Sequence, residues 1–212
     1  MYKRYKENAK TTIQLVAKLS YEPFVGIWVK AEPQHITTFI KNWEKFKELQ
    51  AFCVYDLPPI LPPGGLIFLH AIRENKILAW AKYVGYENVA GWYEHDAGIT
   101  DSIWLRERER IWHSFAPNKL HTYDKDDFDK FWMDQMGVRG LFIMEEVTRV
   151  TPNVGWTQSM KILQVHRPLG FSYKYLTVNQ VEQFLRLLNI RLKITVEGIN
   201  NPKVIVTELP NM

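Results

Sequence analysis

Pro63-Gly64-Gly65-Leu66-Ile67-Phe68-Leu69-His70-Ala71-Ile72 is followed, after Arg73-Glu74-Asn75-Lys76, by Ile77-Leu78-Ala79-Trp80-Ala81-Lys82-Tyr83-Val84. Pro-Gly-Gly marks a turn, and two apolar runs joined by a short polar link predict an antiparallel strand pair. Alternation sets Ile67 and Leu69 opposite Phe68 and His70, so both faces of the pair are covered. One face is core and the other is suited to lining a pocket.

Upstream, residues 24–30 read as a further strand, and Pro33 suits the first turn of a helix. Ile36, Phe39, Ile40, Trp43 and Phe46 then recur at spacings of three and four, with Lys41, Glu44, Lys45 and Lys47 facing away. A short strand over 51–55 leads into the stiff proline loop before Gly64. The first ten residues form a polar, basic arm, and 11–18 is β-branched enough for a strand.

Downstream, the alternating run Arg106-Glu107-Arg108-Glu109-Arg110 reads as a solvated helix face. Asp124, Asp126 and Asp127 open a helix carrying Phe128, Phe131, Trp132 and Met136. A strand is expected over 141–150, a turn at Pro152-Asn153-Val154-Gly155, and a capped helix at Thr177-x-x-Gln180. A terminal hairpin spans 190–196 and 204–207. The organisation expected is an N-terminal extension (1–23), one domain (24–190) with an insertion at about 92–135, and a C-terminal hairpin or tail (191–212).

The 212 residues are 46% hydrophobic and 24% charged, which is ordinary for a globular domain able to bury its own core. Aromatics are high at 14%, with eight Trp, and the net charge of +4 permits a nucleic-acid partner without demanding one. Cys53 stands alone between Phe52 and Val54, so no internal disulfide forms and a cytoplasmic setting is expected. No apolar run has the length of a signal or a membrane span.

The chemistry concentrates in His166-Arg167-Pro168-Leu169-Gly170-Phe171-Ser172-Tyr173-Lys174-Tyr175-Leu176. Aromatic faces beside positive charge are what a base and its phosphate need. Trp80, Phe171, Tyr173 and Tyr175 supply faces, with Trp156 exposed in a turn after Gly155. Ser172, Gln158 and Asn153 supply hydrogen bonds, and Arg167, Lys174 and Lys161 supply charge. If 171–175 is extended, its three aromatics share one side, which either meets the ligand or packs the interior. His95-Asp96 beside Glu94 lacks paired ligand spacing, and the sequence calls for no metal and no cofactor.

The order of elements, with Pro63-Gly64-Gly65-Leu66-Ile67-Phe68-Leu69, Ile77-Leu78-Ala79-Trp80-Ala81 and Gly170-Phe171-Ser172-Tyr173-Lys174-Tyr175-Leu176-Thr177, resembles the PUA-like superfamily, its EVE branch most of all. The resemblance covers about 24–90 and 138–188. It implies an α+β fold: a bent mixed β-barrel flanked by helices, here with a helical or loop insertion. It also implies a non-catalytic reader of RNA or of a modified base. Relatives of the ASCH type resemble amidohydrolases that use a Lys, a Thr and a Glu, for which Lys82, Thr148 and Glu145 are the available types.

The function expected is therefore nucleic-acid binding, to RNA or DNA, without a membrane. The nucleic-acid-binding residues are Trp80, Trp156, Gln158, Lys161, Arg167, Phe171, Ser172, Tyr173 and Lys174. Two alternatives stand beside it. One is a small ASCH-like hydrolase acting on a nucleoside-like substrate. The other is a scaffold or homodimer built on Trp92, Trp104, Trp112 and Trp132 of the insertion.

Overall fold

The computed structural model describes residues 23–54, 61–88, 140–165, 173–198 and 202–210. Expectations for the N-terminal arm, the insertion and Arg167, Phe171 and Ser172 lie outside these residues. The described elements run β1 (Phe24–Ala31), α1 (Pro33–Phe46), β2 (Gln50–Val54), β3 (Leu66–Ala71), β4 (Lys76–Asn88), β5 (Gly140–Arg149), α2 (Trp156–Leu163), β6 (Tyr173–Thr177), α3 (Val178–Leu187), β7 (Leu192–Glu197) and β8 (Lys203–Glu208).

The chain is α+β. Six strands form one mixed sheet in the order β2-β5-β4-β3-β1-β6, and β7 and β8 pair separately. β1 runs parallel to β3, placing Trp28 beside Phe68 and Lys30 beside His70, whereas the other pairings are antiparallel. A barrel closed by hydrogen bonds is not what the described strands build, because β2 and β6 remain its two edges. The sheet is nonetheless strongly curled. Phe142 of β5 and Tyr173 of β6, separated by three strands, touch edge to face at 6.2 Å. Side chains, not a backbone ladder, fill that seam.

Each face of the sheet has its own core. The inner face joins Ile27, Val29, Ile67, Leu69, Ala81 and Phe142 to Ile36, Phe39 and Ile40 of α1. Pro33 occupies the first turn of α1, and its three-four stripe buries these side chains against the concave side. The outer face joins Trp28, Leu66, Phe68 and Trp80 to Leu163 of α2 and to Val181, Phe184 and Leu185 of α3.

Gly26 lets α3 approach, since a Cβ there would lie 2.6 Å from Val181 Cγ2. Gly64 does the same for the terminal hairpin. Its φ of +85° suits glycine, its N–H donates to Tyr83 O at 2.8 Å, and a Cβ would overlap the carbonyl of Val204. Val204 in turn donates to Pro63 O at 3.0 Å, so the Pro-Gly-Gly turn also docks β8.

Candidate nucleic-acid interface

β1 and β3 each alternate, and their parallel register puts Trp28, Lys30, Phe68 and His70 on the outer face. The β3–β4 turn then recruits a third ring. Asn75, with φ +57°, accepts a 2.9 Å hydrogen bond from the backbone N–H of Trp156, and Lys76 bridges Gly155. Gly155 is the N-cap of α2 and Trp156 is its first residue.

Three flat groups meet there. The Trp28 and Trp156 ring centroids lie 5.5 Å apart, Trp28 and His70 5.0 Å, and His70 and Trp156 5.3 Å with a T-shaped approach. Lys30 Nζ stands 5.1 Å from the Trp156 ring centre and 5.9 Å from that of Trp28, a cation held over two indole faces. Trp28 is fully buried, His70 is 1% exposed, and Trp156 is half-buried. The cluster therefore meets solvent through Trp156 and Lys30.

His70 is unusual in its surroundings. Among the described residues neither ring nitrogen has a partner in hydrogen-bond geometry, although buried polar atoms are nearly always paired. Burial holds its pKa down to about 4; the nearby Asn75 side chain pulls the other way, and Lys30 adds to the depression. At neutral pH the imidazole is uncharged, with one donor and one acceptor. Burial also lowers the Lys30 pKa. One turn along α2, Ser159 is fully buried and its hydroxyl too lacks a partner among the described residues.

The residues singled out from sequence divide between the two faces. Trp156 is in the cluster. Trp80 is 8% exposed, opposite Phe68 and Thr148 in the ladder, within the outer core. Gln158 spends its side chain accepting from the Gly155 N–H at 3.0 Å, capping α2, while Lys161 is exposed on that helix. Lys174 points to the outer face and donates to Leu163 O, and Gln180 donates to Ile162 O at 2.9 Å. Together they satisfy carbonyls at the C-terminal end of α2, where a cation also meets the helix dipole favourably. Asn153 is exposed.

Tyr173 and Tyr175 do share a side, but it is the inner one, away from Trp156 and Lys174. They pack with Tyr83, Phe142 and Phe24: Tyr173–Tyr175 5.7 Å, Tyr83–Phe142 5.7 Å and Phe24–Tyr175 5.4 Å. Burial first, then the neighbouring Tyr175 and Tyr86, pushes the Tyr83 hydroxyl far above the usual phenol range. The sequence signals for the residues not singled out are modest: a lone His70 in an otherwise apolar strand, and Trp28-x-Lys30 alternating on the next one.

A second polar group lies on β4 and β5. Lys82 Nζ meets Glu146 Oε2 at 2.6 Å, and the Thr148 hydroxyl donates to Glu146 O at 2.9 Å. Glu145 is opposite Lys82 in the ladder, yet Glu146, with φ +51° at an irregular stretch of pairing, carries the ion pair. Among the described residues no three His, Cys, Asp or Glu side chains are grouped as metal ligands, and no helix is long and apolar enough to cross a membrane.

No protein-family model and no curated protein matches the chain. Among solved structures it is similar to the ASCH protein of Zymomonas mobilis, with TM-score 0.47 and 11% identity over 77% of this chain and 95% of that one. It is likewise similar to two single-substitution variants of that protein. One gives TM-score 0.45 and 11% identity over 77% of this chain and 98% of the other. The second gives 0.46 and 10% over 78% and 98%.

Proposed function

We propose that the chain is a non-catalytic nucleic-acid-binding module that takes a base of RNA, or a modified base, at the Trp28–Lys30–His70–Trp156 cluster. One observation carries the reading: the half-buried Trp156 indole is backed by a buried indole and flanked by a fixed ammonium 5.1 Å from its centre. An aromatic face contributes about 1–3 kcal/mol per stacked base, and an adjacent lysine serves the phosphate or a base carbonyl. Lys161, exposed on α2, adds charge on the same helix. Arg167, Phe171 and Ser172 belong to the segment between α2 and β6 and remain part of the proposed surface, whereas Tyr173 and Trp80 support it from within the fold. The motif resemblance to EVE-type domains supports the same reading.

The test is binding of the purified chain to labelled single-stranded RNA and DNA, plain and base-modified, at two salt concentrations. Salt-sensitive binding that Trp156→Ala weakens about tenfold or more supports the proposal. Absence of binding at low salt overturns it.

A second reading is favoured by the 2.6 Å Lys82–Glu146 pair with Thr148 beside it: a small hydrolase acting on a nucleoside-like substrate. It requires release of the acyl group from an N-acylated nucleoside by the wild type and loss of that release in Lys82→Met. No turnover by the wild type removes it.

A further inference from the structure

We infer that the position now filled by the Trp156 ring against Trp28 is a closed slot for a nucleobase, opened by outward rotation of the Trp156 side chain, whose indole then stacks on the outer face of the base while His70 hydrogen-bonds its edge. The inference rests on the nucleic-acid reading and deepens it by naming how the base is held.

Three observations on the cluster point this way. His70 is 1% exposed and, among the described residues, neither of its nitrogens meets a partner in hydrogen-bond geometry, with only the Asn75 side chain near, so the fold keeps a directional polar group in a dry place. A ligand edge would use it. Next, the three rings meet pairwise at 5.0 to 5.5 Å, an arrangement in which one flat group can be exchanged for another of similar size. Finally, of the three rings Trp156 alone reaches solvent appreciably, and its backbone is anchored by the 2.9 Å bond to Asn75 O. Rotation about its side-chain bonds would open the slot without unwinding α2.

The chemistry of the slot suits a base and not a phosphate. Burial keeps the imidazole neutral, so it offers one donor and one acceptor, the groups that match a base edge. Lys30, over the indole faces at the solvent side, is placed for the negative charge that follows the base along the strand. A base lying on the outer surface of an unmoved Trp156 would leave His70 untouched, which makes the two arrangements distinguishable.

The experiment compares the full wild-type chain with His70→Phe and His70→Leu, using fluorescein-labelled ten-residue oligo-A, oligo-C and oligo-U RNAs. Both variants replace an unpaired buried polar ring by an apolar group, so the fold is expected to hold; whichever retains a cooperative melt is scored. The slot predicts at least a tenfold loss of affinity for the preferred oligomer and a flattened base preference. In parallel, the 5-fluorotryptophan-labelled chain is followed by fluorine NMR, with Trp156→Phe and Trp28→Phe used for assignment. Binding should shift the resonances of both Trp156 and Trp28. Unchanged affinity and preference in the His70 variants, or a shift of Trp156 alone, overturns the slot while leaving surface stacking intact. If the wild type binds none of the oligomers, the nucleic-acid reading falls and the slot falls with it.

Discussion

Phe142 and Tyr173 touch edge to face at 6.2 Å although their strands stand second and sixth in the sheet. In a flat sheet four steps of about 4.8 Å would hold those strands about 19 Å apart. The contact therefore records how far the sheet curls. It also explains why α1 can fill the concave side while α2 and α3 cover the convex side, leaving the Trp28–His70–Trp156 cluster where α2 begins.

That seam makes a stability prediction. Phe142→Leu and Tyr173→Leu, singly and together, should show a coupling of about 0.5–1.5 kcal/mol in a double-mutant cycle read by urea unfolding. Additive effects would mean the two rings do not support each other. Neither change should alter the cluster at Trp156, because both rings lie on the inner face.

Gly64→Ala should destabilise the chain by about 1–3 kcal/mol, since the position combines a φ of +85° with backbone of Val204 where the new methyl would sit. The loss should appear first as faster amide exchange in β7 and β8, which dock on this turn through the Val204 N–H bond to Pro63 O. A variant as stable as wild type would show that the hairpin can shift at little cost.

His70 links stability to pH. Its folded pKa of about 4 lies below the ordinary histidine value of 6.5, so between these values the unfolded chain binds more protons and stability rises with pH. Acidifying from pH 7 to 4 should thus cost up to about 3 kcal/mol through this group. His70→Phe should remove that part of the slope. Equal pH dependence of wild type and His70→Phe, measured by unfolding at several pH values, would contradict a buried neutral imidazole.

The strands other than β6, and two of the helices, were legible because short-range patterns carry them. Pro63-Gly64-Gly65 and the polar link after Ile72 mark β3 and β4, the three-four stripe from Ile36 marks α1, and Thr177-x-x-Gln180 marks α3 with the cap as expected. Helix α2 escaped. Its N-cap is a glycine, and the sequence reads there as a turn carrying an exposed Trp156. Trp156 itself was legible as a candidate; its partners were not. Trp28, Lys30 and His70 come together only through a parallel pairing between strands far apart in sequence, and no local pattern encodes that register. The same limit applies to Tyr173 and Lys174, adjacent in the chain yet serving opposite faces.

Lys174→Met should lower stability by about 1–2 kcal/mol, because it removes a charged donor from the C-terminal carbonyls of α2. Circular dichroism melts would register the loss. Lys174→Arg should recover part of it. If both variants melt as wild type, water serves that helix end equally well.

Trp156 and Lys30 are the proposed point of contact with nucleic acid. The decisive measurement is an anisotropy titration of labelled single-stranded RNA against wild type, Trp156→Ala and Lys30→Gln over a salt series. Trp156→Ala should lose at least tenfold in affinity at every salt, and Lys30→Gln should bind more weakly with a salt slope shallower by about 1. RNA binding that survives both substitutions, with an unchanged slope, would place the contact elsewhere on the protein.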